Sequence, residues 1–182
     1  SGPMHLTDNL TILLDPSVRI SFDFKPENYN NQGEGYITRY EGTTLFGYSP
    51  LMRGFNNKNI IIKGGPGYGA VPVIDGNGED WQKWSMNKDG ASRSQGLTPD
   101  YIRVREFNNA KIPVKDRNFA NSALRPDLLQ FFLCKNILVE NVQFNESPFW
   151  VVHPIFSENI TIREVLYDAH VVNNDGIDPE SS

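Results

Sequence analysis

Short runs of alternating apolar and polar residues recur along the chain, and each begins with asparagine. The four runs are Asn9-Leu10-Thr11-Ile12, Asn59-Ile60-Ile61-Ile62, Asn136-Ile137-Leu138-Val139 and Asn159-Ile160-Thr161-Ile162. This pattern predicts short β-strands. The last two runs start 23 residues apart and continue alike, and the earlier spacings of 50 and 77 residues are near two and three such periods. We therefore interpret one repeat as one coil of a repetitive fold.

A period near 23 residues without a helical pattern predicts an all-β fold, a right-handed parallel β-helix whose coils bury their apolar side chains by stacking. Asparagine suits the tight corner before each strand, because it tolerates left-handed backbone, and equivalent asparagines can stack as a ladder. A β-sandwich with asparagine in its turns is the alternative. We expect very little helix, one domain over residues 1–182, and long loop insertions at about 23–53 and 64–111.

Charge and cysteine content narrow the possible functions. A net charge of −5 and a pI near 5.2 argue against a general nucleic-acid binder. Six basic residues against two acidic ones between Arg103 and Arg125 favour either steering of an anionic ligand or a solvated loop. The single cysteine, Cys134, lies in an apolar run and is predicted to be buried. No stretch approaches the length of a membrane-spanning helix.

Candidate chemistry gathers in residues 171–180, which include Asp175, Asp178 and Glu180, with no basic residue after Arg163. Neighbouring carboxylates repel each other, which raises at least one pKa and supplies the protonated acid and ionised base that glycosidic cleavage requires. Asn-Asp-Gly is also a common turn sequence, so a turn with solvent-facing acids is the alternative interpretation.

The run Asn173-Asn174-Asp175-Gly176-Ile177-Asp178 resembles the Asn-Thr-Asp-Gly-x-Asp signature of the pectin-cleaving polygalacturonases of glycoside hydrolase family 28. Other stretches resemble the same family in the same order, so the resemblance covers nearly the whole chain. These stretches are Thr38-Arg39-Tyr40-Glu41-Gly42, Tyr48-Ser49-Pro50-Leu51, Val73-Ile74-Asp75-Gly76-Asn77-Gly78, Arg125-Pro126-Asp127-Leu128-Leu129-Gln130-Phe131, Cys134-Lys135-Asn136-Ile137-Leu138-Val139 and Ser147-Pro148-Phe149-Trp150-Val151-Val152-His153-Pro154.

The resemblance implies inverting hydrolysis of α-1,4 galacturonosyl links in an anionic plant polysaccharide, with no metal or other cofactor and no nucleic-acid or membrane partner. It also implies a secreted or periplasmic location. Asp175 matches the first water-positioning aspartate of the family, and Asp178 is expected to be a structural or supporting acid. The predicted substrate-binding residues are Asn173, Trp150, His153 and Arg125, with Trp150 stacking on sugar and His153 binding its carboxylate.

Three later motifs of the family, namely Gly-Asp-Asp with the catalytic acid, Gly-His-Gly and Arg-x-Lys, do not occur in this sequence. We therefore expect a truncated β-helix, incomplete at its C-terminal end and nearly inactive alone. It would self-associate or pair with the missing C-terminal portion as a second chain. The long loops favour a groove closed at one end and exo cleavage.

Two other functions stay open at this point. One is a non-catalytic β-helix that binds acidic polysaccharide through the segment from Arg103 to Arg125. The other is a calcium-dependent pectate lyase, which requires clustered carboxylate ligands for calcium and a base, and which the aspartate signature argues against.

Overall fold

The structure, a computed structural model, describes residues 2–65, 70–85 and 98–182. The first coil contains β1 (Met4–His5), β2 (Leu10–Leu14) and β3 (Arg19–Ser21), and a hairpin of β4 (Tyr36–Tyr40) and β5 (Thr43–Gly47) follows it. The second coil contains β6 (Met52–Phe55), β7 (Lys58–Gly64) and β8 (Val73–Asp75). The third contains β9 (Leu129–Phe132), β10 (Lys135–Glu140) and β11 (Gln143–Asn145). The fourth contains β12 (Val152–Ile155), β13 (Glu158–Arg163) and β14 (Leu166–Asp168).

Each coil contributes one strand to each of three parallel sheets. Sheet A has the order β1-β6-β9-β12, sheet B the order β13-β10-β7-β2, and sheet C the order β14-β11-β8-β3. Parallel bridges from Val152 to Ile177 and from Ile155 to Glu180 extend sheet A by one further coil. The predicted parallel β-helix is confirmed.

The predicted asparagine ladder is present at the start of sheet B. The amide Nδ2 of Asn59 donates to Oδ1 of Asn9 at 2.7 Å, that of Asn136 donates to Asn59 at 2.8 Å, and that of Asn159 donates to Asn136 at 2.8 Å. All four residues have positive φ angles between 55° and 59°. Asparagine tolerates this left-handed conformation better than most residues, so the same side chain both turns the corner and links the coils.

The spacings of 50 and 77 residues are insertions and contain no extra coils, which corrects the prediction of two and three periods. Strand β7 pairs directly with β2 and with β10, so these coils are immediate neighbours. The two insertions also contain regular structure where loops were predicted. The first carries the β4–β5 hairpin, and the second contains β8 and the helices α1 (Gly78–Trp81) and α2 (Pro99–Asn109). Helix α2 begins at a Thr98 cap followed by proline, a local signal that accounts for it.

The main core lies inside the coils, and Cys134 is buried in it, as predicted. Trp81 is wholly buried and packs edge-on against Phe24 at 4.9 Å, so its role is structural. A second cluster joins the hairpin and α2 to the coils through Tyr40, Leu45, Tyr101, Val104, Phe119, Leu124 and Phe149. Of the helices in the described ranges, none is both long and apolar enough to cross a membrane.

Candidate active site

A column of polar side chains runs up the outer face of sheet A. The strand register places His5 beside Arg53, Arg53 beside Gln130, and Gln130 beside His153. The bridge from Val152 to Ile177 continues the column to Asp178. Because side chains alternate along a strand, the residues one position earlier, among them Met52, Leu129 and Val152, belong to the core.

The β4–β5 hairpin covers this column. Tyr36 packs edge-on against His5 with ring centroids 5.2 Å apart, and Thr38 Oγ1 accepts a 2.8 Å hydrogen bond from Gln130 Nε2. At the far end of the column, Arg39 Nε lies 2.8 Å from Glu180 Oε2 in an ion pair. The hairpin therefore spans sheet A from the first coil to the coil beyond β12, and the side chain of Gln130 is fully buried beneath it.

His153 lies under the hairpin between two carboxylates. Its Nδ1 is 2.8 Å from Asp127 Oδ2, which also accepts a 2.7 Å hydrogen bond from Gln130 Nε2. Its Nε2 is 3.6 Å from Glu180 Oε2. Burial alone would lower the pKa of His153, but the charges of Asp127 and Glu180 outweigh it and raise that pKa to about 9. The imidazole is therefore a buried cation at neutral pH.

Asp175 and Asp178 lie in the coil that follows β14. Main-chain hydrogen bonds from Val151 to Asp175 and from Asp178 to Val152, of 2.9 and 3.0 Å, hold this segment against the start of β12. Asp175 is exposed, whereas Asp178 is partly buried. Burial raises the pKa of Asp178 to about 7, and the charges of Asp175 and Asp127 add to this effect. Within the described ranges, the buried Oδ2 atom of Asp178 has no hydrogen-bond partner.

This arrangement places a carboxyl group that can hold a proton near neutral pH beside a solvent-facing carboxylate. Such a pair supplies an ionised carboxylate that can activate water, next to a carboxyl group that can hold a proton. In the part of the chain that the structure describes, no three His, Cys, Asp or Glu side chains are grouped so as to hold a metal ion.

Arg125 was predicted to bind substrate, but the structure buries it with 1% exposure. Its guanidinium donates to the carbonyl oxygens of Pro148 and Val172 at 2.7 and 2.8 Å and to Asn173 Oδ1 at 2.8 Å. The geometry favours a positioning role, in which Arg125 fixes Asn173 two residues before Asp175. Its partners lie 23 to 48 residues away along the chain, so no local pattern in the sequence indicated them.

His153 was predicted to bind a substrate carboxylate, yet its side chain is fully buried and its two nitrogens face protein carboxylates. Trp150 differs, because it is partly exposed. Its ring stacks on Phe149 at 5.1 Å and packs edge-on against His153 at 4.8 Å. Of the predicted ligand contacts, Trp150 and Asn173 are therefore the two that are partly exposed.

The basic segment from Arg103 to Arg125 is mostly engaged within the protein. Arg117 is buried and donates to the carbonyl oxygens of Ile112 and Thr44 at 2.7 and 3.2 Å. The guanidinium of Arg103 lies 4.4 Å from the centroid of the Phe119 ring. Lys111 and Lys115 are exposed. Arg117 and Arg103 therefore help to anchor α2 and its flanking loop, whereas Lys111 and Lys115 lie at the surface.

Sequence reasoning named Glu180 among the acids of residues 171–180 but gave it no role, and it gave none to Arg39, Asp127 or Gln130, which also build this site. Glu180 and Asp178 are two residues apart in an extended segment, which places them on one face of sheet A. That alternation was the available signal for Glu180. The contribution of Arg39 from a separate insertion had no such signal.

The chain matches no family model. It is 29% identical over 136 residues to a probable polygalacturonase of Vitis vinifera, which covers 74% of this chain and 20% of that protein. It is 36% identical to the hyperthermoactive exopolygalacturonase of Thermotoga maritima, with a TM-score of 0.83 over 98% of this chain and 39% of that one. A family 28 exopolygalacturonase of Yersinia enterocolitica shares the fold at 17% identity, with a TM-score of 0.63 over 98% of this chain and 33% of that one.

The chain thus spans a fifth of the plant protein's length and well under half that of the two bacterial enzymes. Together these relatives confirm the resemblance to the polygalacturonases of glycoside hydrolase family 28 that the motifs indicated.

Proposed function

We propose that this β-helix serves in the hydrolysis of α-1,4 galacturonosyl linkages in pectin. The observation that carries the proposal is the pairing of exposed Asp175 with partly buried Asp178, whose pKa is raised to about 7, on one coil beside the covered face of sheet A. The names of the Vitis and Thermotoga relatives support the substrate class.

In this proposal Asp175 positions the attacking water, and Asn173, held by Arg125, orients Asp175 or the bound sugar. Asp178 is a supporting acid. An inverting enzyme requires roughly 6.5–9.5 Å between its acid and its base, so that a water molecule fits between them. Because the sequence lacks the Gly-Asp-Asp motif, we expect the acid to come from another coil and the 182-residue chain alone to be nearly inactive. We further propose a secreted or periplasmic location.

The hairpin supports exo action as the mode of cleavage. It covers the outer face of sheet A from the first coil to the coil beyond β12, where a polymer running along the β-helix would otherwise continue past the site. A groove closed on that side accepts a chain end more readily than the middle of a long polymer. The Thermotoga relative carries exopolygalacturonase in its name, which supports the same mode.

Two measurements on the purified 182-residue chain test the proposal. Calorimetry with trigalacturonate should show binding that Trp150→Ala weakens, and neutral maltotriose, which has α-1,4 links without carboxylates, should not bind. Release of reducing ends from polygalacturonate should be slight and should disappear in Asp175→Asn. The matched control is Asp168→Asn, which changes an exposed aspartate on β14 and should leave both results unaltered. Equal binding of trigalacturonate and maltotriose would contradict the proposal, and binding without any new reducing ends would favour a non-catalytic polysaccharide-binding role.

A further inference from the structure

Two carboxylates from distant parts of the chain face the buried imidazole of His153. Asp127 precedes β9 and approaches Nδ1, whereas Glu180 follows Asp178 and approaches Nε2. The side chains of Asp127 and Glu180 are only 6% and 17% exposed. Nδ1 is within hydrogen-bond distance of Asp127 at 2.8 Å, whereas Nε2 and Glu180 Oε2 are 3.6 Å apart, close enough for an ion pair but too far for a hydrogen bond, so only an imidazolium, which carries a positive charge, attracts Glu180. The bridge between the two carboxylates therefore depends on the charge of His153.

Glu180 also contacts the hairpin, and so links His153 to it. Its Oε2 atom forms the 2.8 Å ion pair with Arg39 Nε, and Gly42 at the hairpin tip lies beside the same carboxylate. Arg39 also donates to the Gly42 carbonyl at 2.6 Å. The turn itself has positive φ angles at Glu41 and Gly42, of 41° and 81°. Glu180 therefore connects both the hairpin tip and β4 to the coil that follows β14.

The charges in this cluster balance only when His153 is protonated. The charged groups that face it are Asp127, Glu180 and Asp178, and Arg39 faces Glu180 from the hairpin. When His153 is an imidazolium, its charge and that of Arg39 balance the carboxylates of Asp127 and Glu180, and a protonated Asp178 carries no charge. With a neutral imidazole, a buried negative charge would have no compensating partner, which is costly in a protein interior.

We propose that His153 is a positioning residue of this site, an imidazolium clamp that joins Asp127 to Glu180 and thereby fastens the hairpin tip to the coil carrying Asp175 and Asp178. The clamp replaces the substrate contact predicted for this histidine. It accounts for a fully buried histidine next to a candidate catalytic segment, and it holds the hairpin in its closing position over sheet A. The proposal concerns the chain alone and does not depend on which polymer is bound.

Amide hydrogen exchange at a single pH near 6 tests the clamp. In His153→Gln, which keeps one hydrogen bond and loses the charge, the amides of β4 and β5 should exchange roughly tenfold faster, the effect of losing a charge-assisted contact. Amides of β10 in sheet B should be unchanged. His170→Gln is the matched control, because His170 is exposed and pairs with Glu146 outside the cluster. Hairpin exchange within twofold of the wild type in His153→Gln would overturn the proposal.

Nitrogen NMR of the imidazole supplies a readout that packing alone would not change. His153 should keep both N–H protons through pH 7, and Glu180→Gln should lower its titration midpoint. A neutral His153 at pH 7 would refute the clamp. If amides of sheet B also exchange faster in His153→Gln, the substitution has disturbed the coils as well as the hairpin. Arg39→Gln then distinguishes the two effects, because it removes the ion pair between the hairpin and Glu180 without altering a buried imidazole. It should speed exchange only in the hairpin, and unchanged exchange there would refute the proposal.

Discussion

The asparagine ladder predicts a specific difference between two substitutions of Asn136. This residue donates one ladder hydrogen bond to Asn59 and accepts another from Asn159, both of 2.8 Å, and its φ angle is 59°. Asn136→Gly removes both hydrogen bonds but accommodates the left-handed backbone. Asn136→Ala removes the same hydrogen bonds and also places a Cβ atom in a conformation that alanine disfavours.

The expected losses of unfolding free energy follow from these terms. Each exposed hydrogen bond contributes about 0.5–1 kcal/mol, so the pair contributes about 1–2 kcal/mol. Left-handed backbone costs a residue such as alanine about 1–2 kcal/mol, whereas glycine loses about 0.5–1 kcal/mol through the entropy of its unfolded chain. We therefore expect Asn136→Ala to cost about 2–4 kcal/mol and Asn136→Gly to cost about 1.5–3 kcal/mol.

Urea denaturation followed by far-ultraviolet circular dichroism measures both losses, provided that the slopes of unfolding free energy against urea agree among the variants. Equal losses for the alanine and glycine variants would refute the backbone part of the reasoning. A loss below about 0.5 kcal/mol in both would show that the ladder hydrogen bonds do not stabilise the coils, because surface substitutions without a specific role fall within that range.

Three further predictions concern pH and packing. His153 has a folded-state pKa of about 9, compared with 6.5 in the unfolded chain. The stabilisation that its charge provides is therefore complete below pH 6.5 and falls by up to about 3 kcal/mol as the pH rises to 9. Thermal melts of His153→Gln should not show this loss of stability. The pKa of Asp178 is raised to about 7 from 3.8, so the folded chain binds this proton more tightly than the unfolded chain and loses stability as the pH rises between those values. Asp178→Asn should therefore have a higher melting temperature than the wild type at pH 8, and a smaller increase at pH 4.5. In Gly78→Ala the new Cβ would lie 2.5 Å from the Ser147 carbonyl oxygen, so we expect a loss of about 1–3 kcal/mol in urea denaturation.

The coils could be predicted from sequence because their signals are local. Alternating apolar residues after asparagine specify a strand and a corner within a few positions, and one such unit resembles the next. Cys134 was correctly placed in the core for the same reason. The number of coils between units was not predictable, since an insertion and an additional coil lengthen the chain alike, and the 77 residues between Asn59 and Asn136 proved to separate neighbouring coils.

The candidate site was predicted only in part, because its residues act through partners that are distant in sequence. Arg125 and His153 were predicted to face a ligand on the strength of the family resemblance, although a charged side chain can be buried when it finds partners. Carbonyl oxygens of residues 148 and 172 and the carboxylates of residues 127 and 180 supply those partners. Asp175 and Asp178 were located by their motif, but the difference in burial between them appears only when β12 packs beside their segment.

The position of the hairpin follows from the column that it covers. Parallel register forces Gln130, His153 and Asp178 onto one outer face of sheet A, and a polar column of this kind must remain solvated or find partners. Thr38 and Arg39, one after the other on β4, supply partners to Gln130 and to Glu180 in separate coils. One inserted strand can therefore satisfy several coils together, and it can do so only in a position that closes sheet A on that side. The position of the hairpin over sheet A is thus a consequence of satisfying the buried polar column, and substitutions at Thr38 or Arg39 should loosen the hairpin before they alter the coils.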